Sequence, residues 1–190
     1  GAANSDRLYA LSETFRAFAE ATRDYRVLLE TVAREMAHLI GDGCAVMLLD
    51  DDGAWSAAGA ACARDPRGTE LLRDALSRLP PGRAAGGLSV SVGRTGEPVL
   101  IPTIAPEELV KFAESPFADA VRALGIRSFL SVPLEVRGRR LGVLSMCRYV
   151  PESPPFDESD QLFARSIADH AALAISNAQL FESLQTELRE

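Results

Sequence analysis

Histidine is scarce in this chain. His38 and His170 are the only two, and they stand on separate helical stretches. A zinc site needs paired ligands at short spacings, and none are present. A histidine-based triad, a Gly-x-Ser-x-Gly elbow and the Lys-Ser/Thr of a P-loop are missing as well. Cysteine is equally thin. Cys44, Cys62 and Cys147 are odd in number, far apart and free of any CxxC pair. That usage fits free thiols in a reducing compartment, so a cytoplasmic location is expected. No apolar run reaches the ~18–20 residues of a membrane span, so no membrane contact is expected of this segment. No signal-peptide pattern is found. Lysine occurs once, at Lys111, against nineteen arginines, which reads as a compositional bias. Basic residues are outnumbered by acidic ones, with a net charge of −7 and a pI near 5.0. A general nucleic-acid binder needs a basic face to displace phosphate counterions, so that class is set aside.

Core-forming residues are present in quantity. The hydrophobic fraction is 47%, the charged fraction 25% and the mean hydropathy +0.02 over 190 residues. This is enough for one domain with a real core. Leu8, Leu11, Phe15, Phe18 and Thr22 form a narrow stripe that predicts a helix over 6–22, suited to meeting another helix. Asp24 is placed to cap a second helix over 25–40, whose broader face of Leu28, Leu29, Val32, Met36, Leu39 and Ile40 suits a sheet. His38 falls on its outer face and reads as solvated. Residues 44–50 are apolar on both faces, an interior strand. The acids of Asp51-Asp52-Gly53 lack the spacing of a calcium loop and read as a turn into a strand over 54–62. Residues 67–78 read as an amphipathic helix and 80–87 as a Pro/Gly-rich loop. A short helix or turn leads to a strand over 99–102. One or two short helices follow over 104–122, broken at Pro116.

The most informative stretch is 123–148. Two nearly alternating runs flank Arg137-Gly138-Arg139, a tight turn in which Gly138 is free to take positive φ. Pro133 cannot donate to a ladder, so it marks a bulge or an unpaired position. Gly142 predicts close approach of another element. A proline-rich linker over 150–155 then leads to a last helix, capped by Asp157 or Ser159. In that helix Phe163, Ile167, His170, Ala174, Asn177, Phe181, Leu184 and Leu188 recur at alternating four and three, a heptad seam. Its early turns are expected on the sheet or a neighbouring helix, and its last turns projecting.

Leu124-Gly125-Ile126-Arg127-Ser128, Ser131-Val132-Pro133-Leu134, Gly138 and Leu141-Gly142-Val143-Leu144 together resemble the GAF domain family. These are small sensory domains of signalling proteins. Thr95-Gly96-Glu97-Pro98 ahead of Val99-Leu100-Ile101-Pro102 extends the resemblance, as does Phe156 followed by Asp160. It covers about residues 25–182. It implies an α+β (α/β) sandwich: a central antiparallel sheet of five to six strands, the N- and C-terminal helices on one face, short helices and loops on the other. Residues 1–5 read as a cloning remnant, 6–24 as a signalling and dimerisation helix, 25–182 as the domain, and 183–190 as an extension of the last helix. Where family members often carry an acid after the 99–102 strand, this chain has Thr103. The Asn-Lys pair of cyclic-nucleotide-binding members stands here as Cys147-Arg148, and Asp160 is followed by Gln161. The nucleotide motif is therefore incomplete. A bilin is normally held by a cysteine in the pocket-covering region, and residues 63–146 hold none. A haem ligand is missing from that region too. No cofactor is expected, and the identity of any small-molecule ligand is open.

The resemblance implies a non-catalytic regulatory domain that senses a small molecule. Candidate lining residues are Met47, Leu49, Trp55, Phe112, Phe117, Val121, Ser131 and Met146. Each reads more readily as core, since apolar strand residues are core more often than ligand contacts. The signal would pass through terminal helices in a homodimer to an output domain such as the histidine kinase of a two-component system. Leu8, Leu11, Phe15, Phe18, His170, Asn177, Phe181, Leu184 and Leu188 would form the dimer interface. One alternative is a ligand-free dimerising relay. A third reading is a thiol-based methionine sulfoxide reductase using Cys44 and Cys147 on adjacent strands. It ranks last, because neither thiol stands in a reactive loop.

Overall fold

The computed structural model describes residues 2–21, 23–79, 87–112 and 117–190. Residues 80–86 of the expected loop, the expected break at Pro116 and the stripe residue Thr22 lie outside them. The elements run α1 (Ala2–Ala21), α2 (Tyr25–Leu39), β1 (Gly43–Leu49), β2 (Trp55–Ala63), α3 (Pro66–Ser77), α4 (Leu88–Thr95), β3 (Val99–Ile101), a 3-10 helix (Pro106–Phe112), α5 (Ala118–Leu124), β4 (Ser128–Val136), β5 (Arg139–Arg148) and α6 (Glu158–Arg189).

Five strands form one antiparallel sheet in the order β2-β1-β5-β4-β3. The β4–β5 hairpin closes through Arg137 and Gly138, with φ of 52° and 77°. Positive φ at both central residues matches the twist of the two strands. Pro133 pairs with Val143, and β3 stops at Val99 opposite Ser131. No described strand lies beside Pro133 on that edge, so its missing donor costs the ladder nothing. At Gly142 the close approach is made by β1. A Cβ there would meet Met47 O and stand 2.9 Å from Leu48 Cα.

Strand alternation divides the sheet into two faces. One face carries Val46, Leu144 and Val132 in register, and Cys44, Met146 and Leu130 beside them. They join the core with α1, α2 and α6. On α6 the sheet-facing residues are Ala164, Ile167, Ala168, Ala171, Ala172, Ile175 and Ala178. This corrects the heptad seam, which shares only Ile167 with that set. The alanines let the helix lie close to β4, and a reading weighted to large side chains passed over them. The seam's lower turns do project: Phe181, Leu184 and Leu188 are 42%, 58% and 87% exposed.

The residues expected at a dimer interface fall in different places. Phe18 is only 2% exposed and belongs to the chain's own core. Phe15 stacks on His170 with centroids 3.8 Å apart and planes at 12°. Phe15 and His170 hold α1 against α6 within one chain, with His170 still exposed, while Phe18 has no surface left for a second copy. Leu11 packs on the same core, whereas Leu8 is exposed and Asn177 faces solvent.

The start of α6 is held by a polar clamp. Asp157 accepts from Asp160 N, and the Asp160 carboxylate accepts from Asp157 N, a capping box. Arg148 donates to Ile40 O at the end of α2, to Pro154 O and to Asp160 Oδ2. Its guanidinium covers Phe156 at 4.1 Å. Arg7 of α1 reaches Asp160 as well, at 3.3 Å. The Phe156 and Asp160 signature is thus structural here. A second buried carboxylate, Asp42, accepts from Tyr149 N, Val150 N and Ser153 Oγ, fixing the linker before α6.

Candidate ligand-binding site

The other sheet face carries Ala45, Ser145 and Ser131 in register, flanked by Met47 and Val143 on one side and Cys147 and Phe129 on the other. Over it lie α3, α4 and α5. Between them and the sheet lies a partly open cavity of about 50 Å³. Ala45, Met47, Ser145, Cys147 and Phe129 form the sheet side, with Trp55 at the β2 edge. Leu72 of α3, the first turn of α4 and Phe117 and Val121 beside and on α5 form the cover. Two local features allow this closeness. Gly87 precedes α4 with φ of 121°, a conformation that favours glycine. Gly93 on the same helix lets Trp55 come close, since a Cβ there would stand 3.1 Å from the indole.

The walls are apolar apart from one polar seam. Ser89 Oγ of α4 lies 2.8 Å from Ser145 Oγ, which lies 2.9 Å from Ser131 Oγ. Two hydrogen bonds use two of the three hydroxyl protons, so one donor and several lone pairs are left over. No lining side chain among the described residues is an amine, guanidinium, imidazole or carboxylate. Burial and the nearby Asp42 charge push the Cys147 thiol up to about 12, so it stays neutral. Beside the cavity, Tyr149 donates to Asp65, the cap of α3. Burial and that hydrogen bond both push the Tyr149 phenol up, and the same bond holds the Asp65 carboxyl below its usual range.

Of the candidate lining residues, Met47, Trp55, Phe117, Val121 and Met146 border the cavity. Met146 does so from the strand, because its side chain belongs to the opposite core. Leu49 packs beside Met47 and Trp55 without lining the cavity. Ser131 is fully buried behind Ser145 and reaches the cavity only through that hydroxyl. The side chain of Phe112 lies outside the described set. Ser89, Ser145, Leu72 and Phe129 were missed. The alternation of the 123–148 hairpin places Ser145 on the same face as Ser131, so that one was within reach. Ser89 was not, since nothing local fixes where α4 docks.

Cys44 and Cys147 are not brought together as a thiol pair. Cys147 shares the cavity face with Gly43, where an added Cβ would stand 3.1 Å from its Sγ. Cys44 points into the helix-face core. Burial pushes the Cys44 thiol up too, with Cys147 and Cys62 adding to it. No group of three or more His, Cys, Asp or Glu among the described residues is arranged for a metal.

The model of the GAF domain matches residues 24–175. The chain belongs to the GAF domain family. No curated protein matches this GAF domain in sequence. Solved structures share its fold. The GAF domain of a phosphoenolpyruvate-protein phosphotransferase from Coxiella burnetii superposes with a TM-score of 0.62 at 19% identity, over 92% of this chain and 98% of that one. Free methionine-R-sulfoxide reductase from Neisseria meningitidis, in complex with its substrate, gives 0.62 at 17% identity, over 92% and 90%. Residues 122 to 287 of a methyl-accepting chemotaxis protein give 0.62 at 18%, over 88% and 97%. GAF domains are sensory and regulatory modules, and they occur beside output domains, as in a GAF/HD protein from Geobacter sulfurreducens. No helix among the described residues is long and apolar enough to cross a membrane.

Proposed function

We propose that this GAF domain is a non-catalytic sensor that binds a small molecule in the cavity and passes the signal to an output domain through α1 and α6. The carrying observation is the shared strand β5. Ser145 and Cys147 wall the cavity. Leu144 and Met146, alternating with them, are fully buried in the core that holds α2 and α6. A shift of β5 by a fraction of an ångström is felt on both faces, because packed cores repack in steps and do not deform smoothly. The chain would work in the cytoplasm as a homodimer within a larger regulatory protein, with a histidine kinase as one suitable output. Leu184, Leu188 and Leu8 supply exposed apolar surface for pairing helices. Catalysis by thiols has little support, because Cys44 and Cys147 face opposite ways. The second reading, a relay without ligand, is favoured by the last turns of α6, which project exposed beyond the core.

Thermal unfolding at fixed protein concentration, against cyclic nucleotides and a metabolite panel, tests the sensor reading. A ligand at a hundred times its Kd adds ~2.7 kcal/mol, or about 5–10 °C for a chain of this size. The shift should be saturable and should shrink in Phe117→Ala. No shift across the panel contradicts the sensor and leaves the relay.

A further inference from the structure

We infer that the cavity selects a small uncharged molecule carrying one hydrogen-bonding oxygen, of the ketone, aldehyde or alcohol class. The inference rests on the sensor reading and narrows it to a ligand class.

Three features converge on it. The first is charge. An anionic ligand taken out of water needs a buried counter-charge or several strong donors. The described walls offer no cationic side chain, and the buried Cys147 thiol adds no charge. The second is polarity at one point only. The Ser89–Ser145–Ser131 hydroxyls lie together on one side of an otherwise apolar cavity. The first turn of α4 lines the same side, and the leading amides of a helix have no partner within it. The one hydroxyl proton left over in the seam can be donated to a single oxygen acceptor. The remainder of the ligand would meet Met47, Trp55, Phe117 and Phe129. The third is size. A single water requires ~10–15 Å³ on the measure by which this cavity holds about 50 Å³. The space therefore takes about three to five non-hydrogen atoms. Nucleotides, bilins and haem are several times larger.

Butanone and propionate make a matched pair. They have the same shape, and a methyl of the ketone is exchanged for a carboxylate oxygen. Both are titrated into the labelled domain at constant pH, with cyclic GMP as a third ligand, and followed by amide and methyl NMR. Butanone is expected to give saturable shifts grouped at Met47, Ser89 and Ser145, with propionate and cyclic GMP leaving those signals in place. Ser145→Ala should weaken butanone by about five- to ten-fold, the worth of one hydrogen bond. Ser89→Ala serves as a second variant at a less buried position. Saturable binding of propionate or cyclic GMP in the cavity, equal to or tighter than butanone, overturns the ligand class and leaves the sensor reading standing. If butanone leaves the cavity signals unmoved, the class is overturned as well. The thermal panel then decides separately whether the cavity binds anything.

Discussion

Replacing Arg148 by methionine should destabilise the domain by about 3–4 kcal/mol. The side chain is 13% exposed and its partner Asp160 11%. Its Nε lies 2.9 Å and its Nη2 2.5 Å from Ile40 O, and Nη1 lies 3.1 Å from Pro154 O and 3.3 Å from Asp160 Oδ2. Methionine keeps an apolar stem but removes all four hydrogen bonds and the guanidinium over Phe156. The end of α2 loses its acceptor's partners, and Asp160 keeps only Arg7 and the cap amide. Breaking a buried pair from one side costs ~3–5 kcal/mol, and those surviving partners place this case at the lower end. At ~2–4 °C per kcal/mol the melting temperature should fall by roughly 6–16 °C. Denaturant and thermal melts measure it. Arg148→Met combined with Asp160→Asn should cost less than the sum of the two, by ~1 kcal/mol or more. A loss below about 1 kcal/mol, or strict additivity, refutes the clamp.

Three further outcomes follow from the same geometry. Arg137→Asn should stabilise by about 0.5–1 kcal/mol, since asparagine tolerates the left-handed conformation that arginine is forced into; an unchanged or lower denaturation midpoint refutes it. Gly142→Ala should cost more than ~2 kcal/mol, because its Cβ would press on the β1 backbone; a melt within a degree or two of the parent refutes that reading. Stability should fall in alkali. A thiol in the unfolded chain ionises at about pH 8.5, whereas Cys147 in the fold holds its proton to about 12. Between those values the folded state binds more protons, so each pH unit costs up to ~1.4 kcal/mol for that thiol. Urea melts from pH 8 to 11 read the slope, and Cys147→Ala should make it shallower, leaving the share of the equally buried Cys44 thiol.

Much of the fold was legible because its signals are local. The Arg137-Gly138 turn, the alternation of β4 and β5 and the Asp24 and Asp157 caps are each set within a few residues. The sheet-facing stripe of α6 was not, because alanine carries little hydrophobic weight on its own. Its role shows only when the helix meets β4. Phe18 misled for a related reason: a narrow stripe says that a helix has a partner and leaves open which chain supplies it. At the cavity, Met47, Trp55, Phe117 and Val121 could be named as wall residues from their faces. Ser89 belongs to a segment whose docking angle depends on Gly87 and on how Gly93 meets Trp55, which are tertiary matters.

The central claim is that the cavity and the terminal helices share one wall. Hydrogen exchange across the domain, with the cavity saturated by the panel compound that raises the melting temperature most, tests it directly. The account predicts altered protection in β5 and onward into α6 around Ile167 to Ile175, across the sheet from the ligand. Protection confined to α3, α4 and α5, or a panel with no compound that raises the melting temperature, contradicts it.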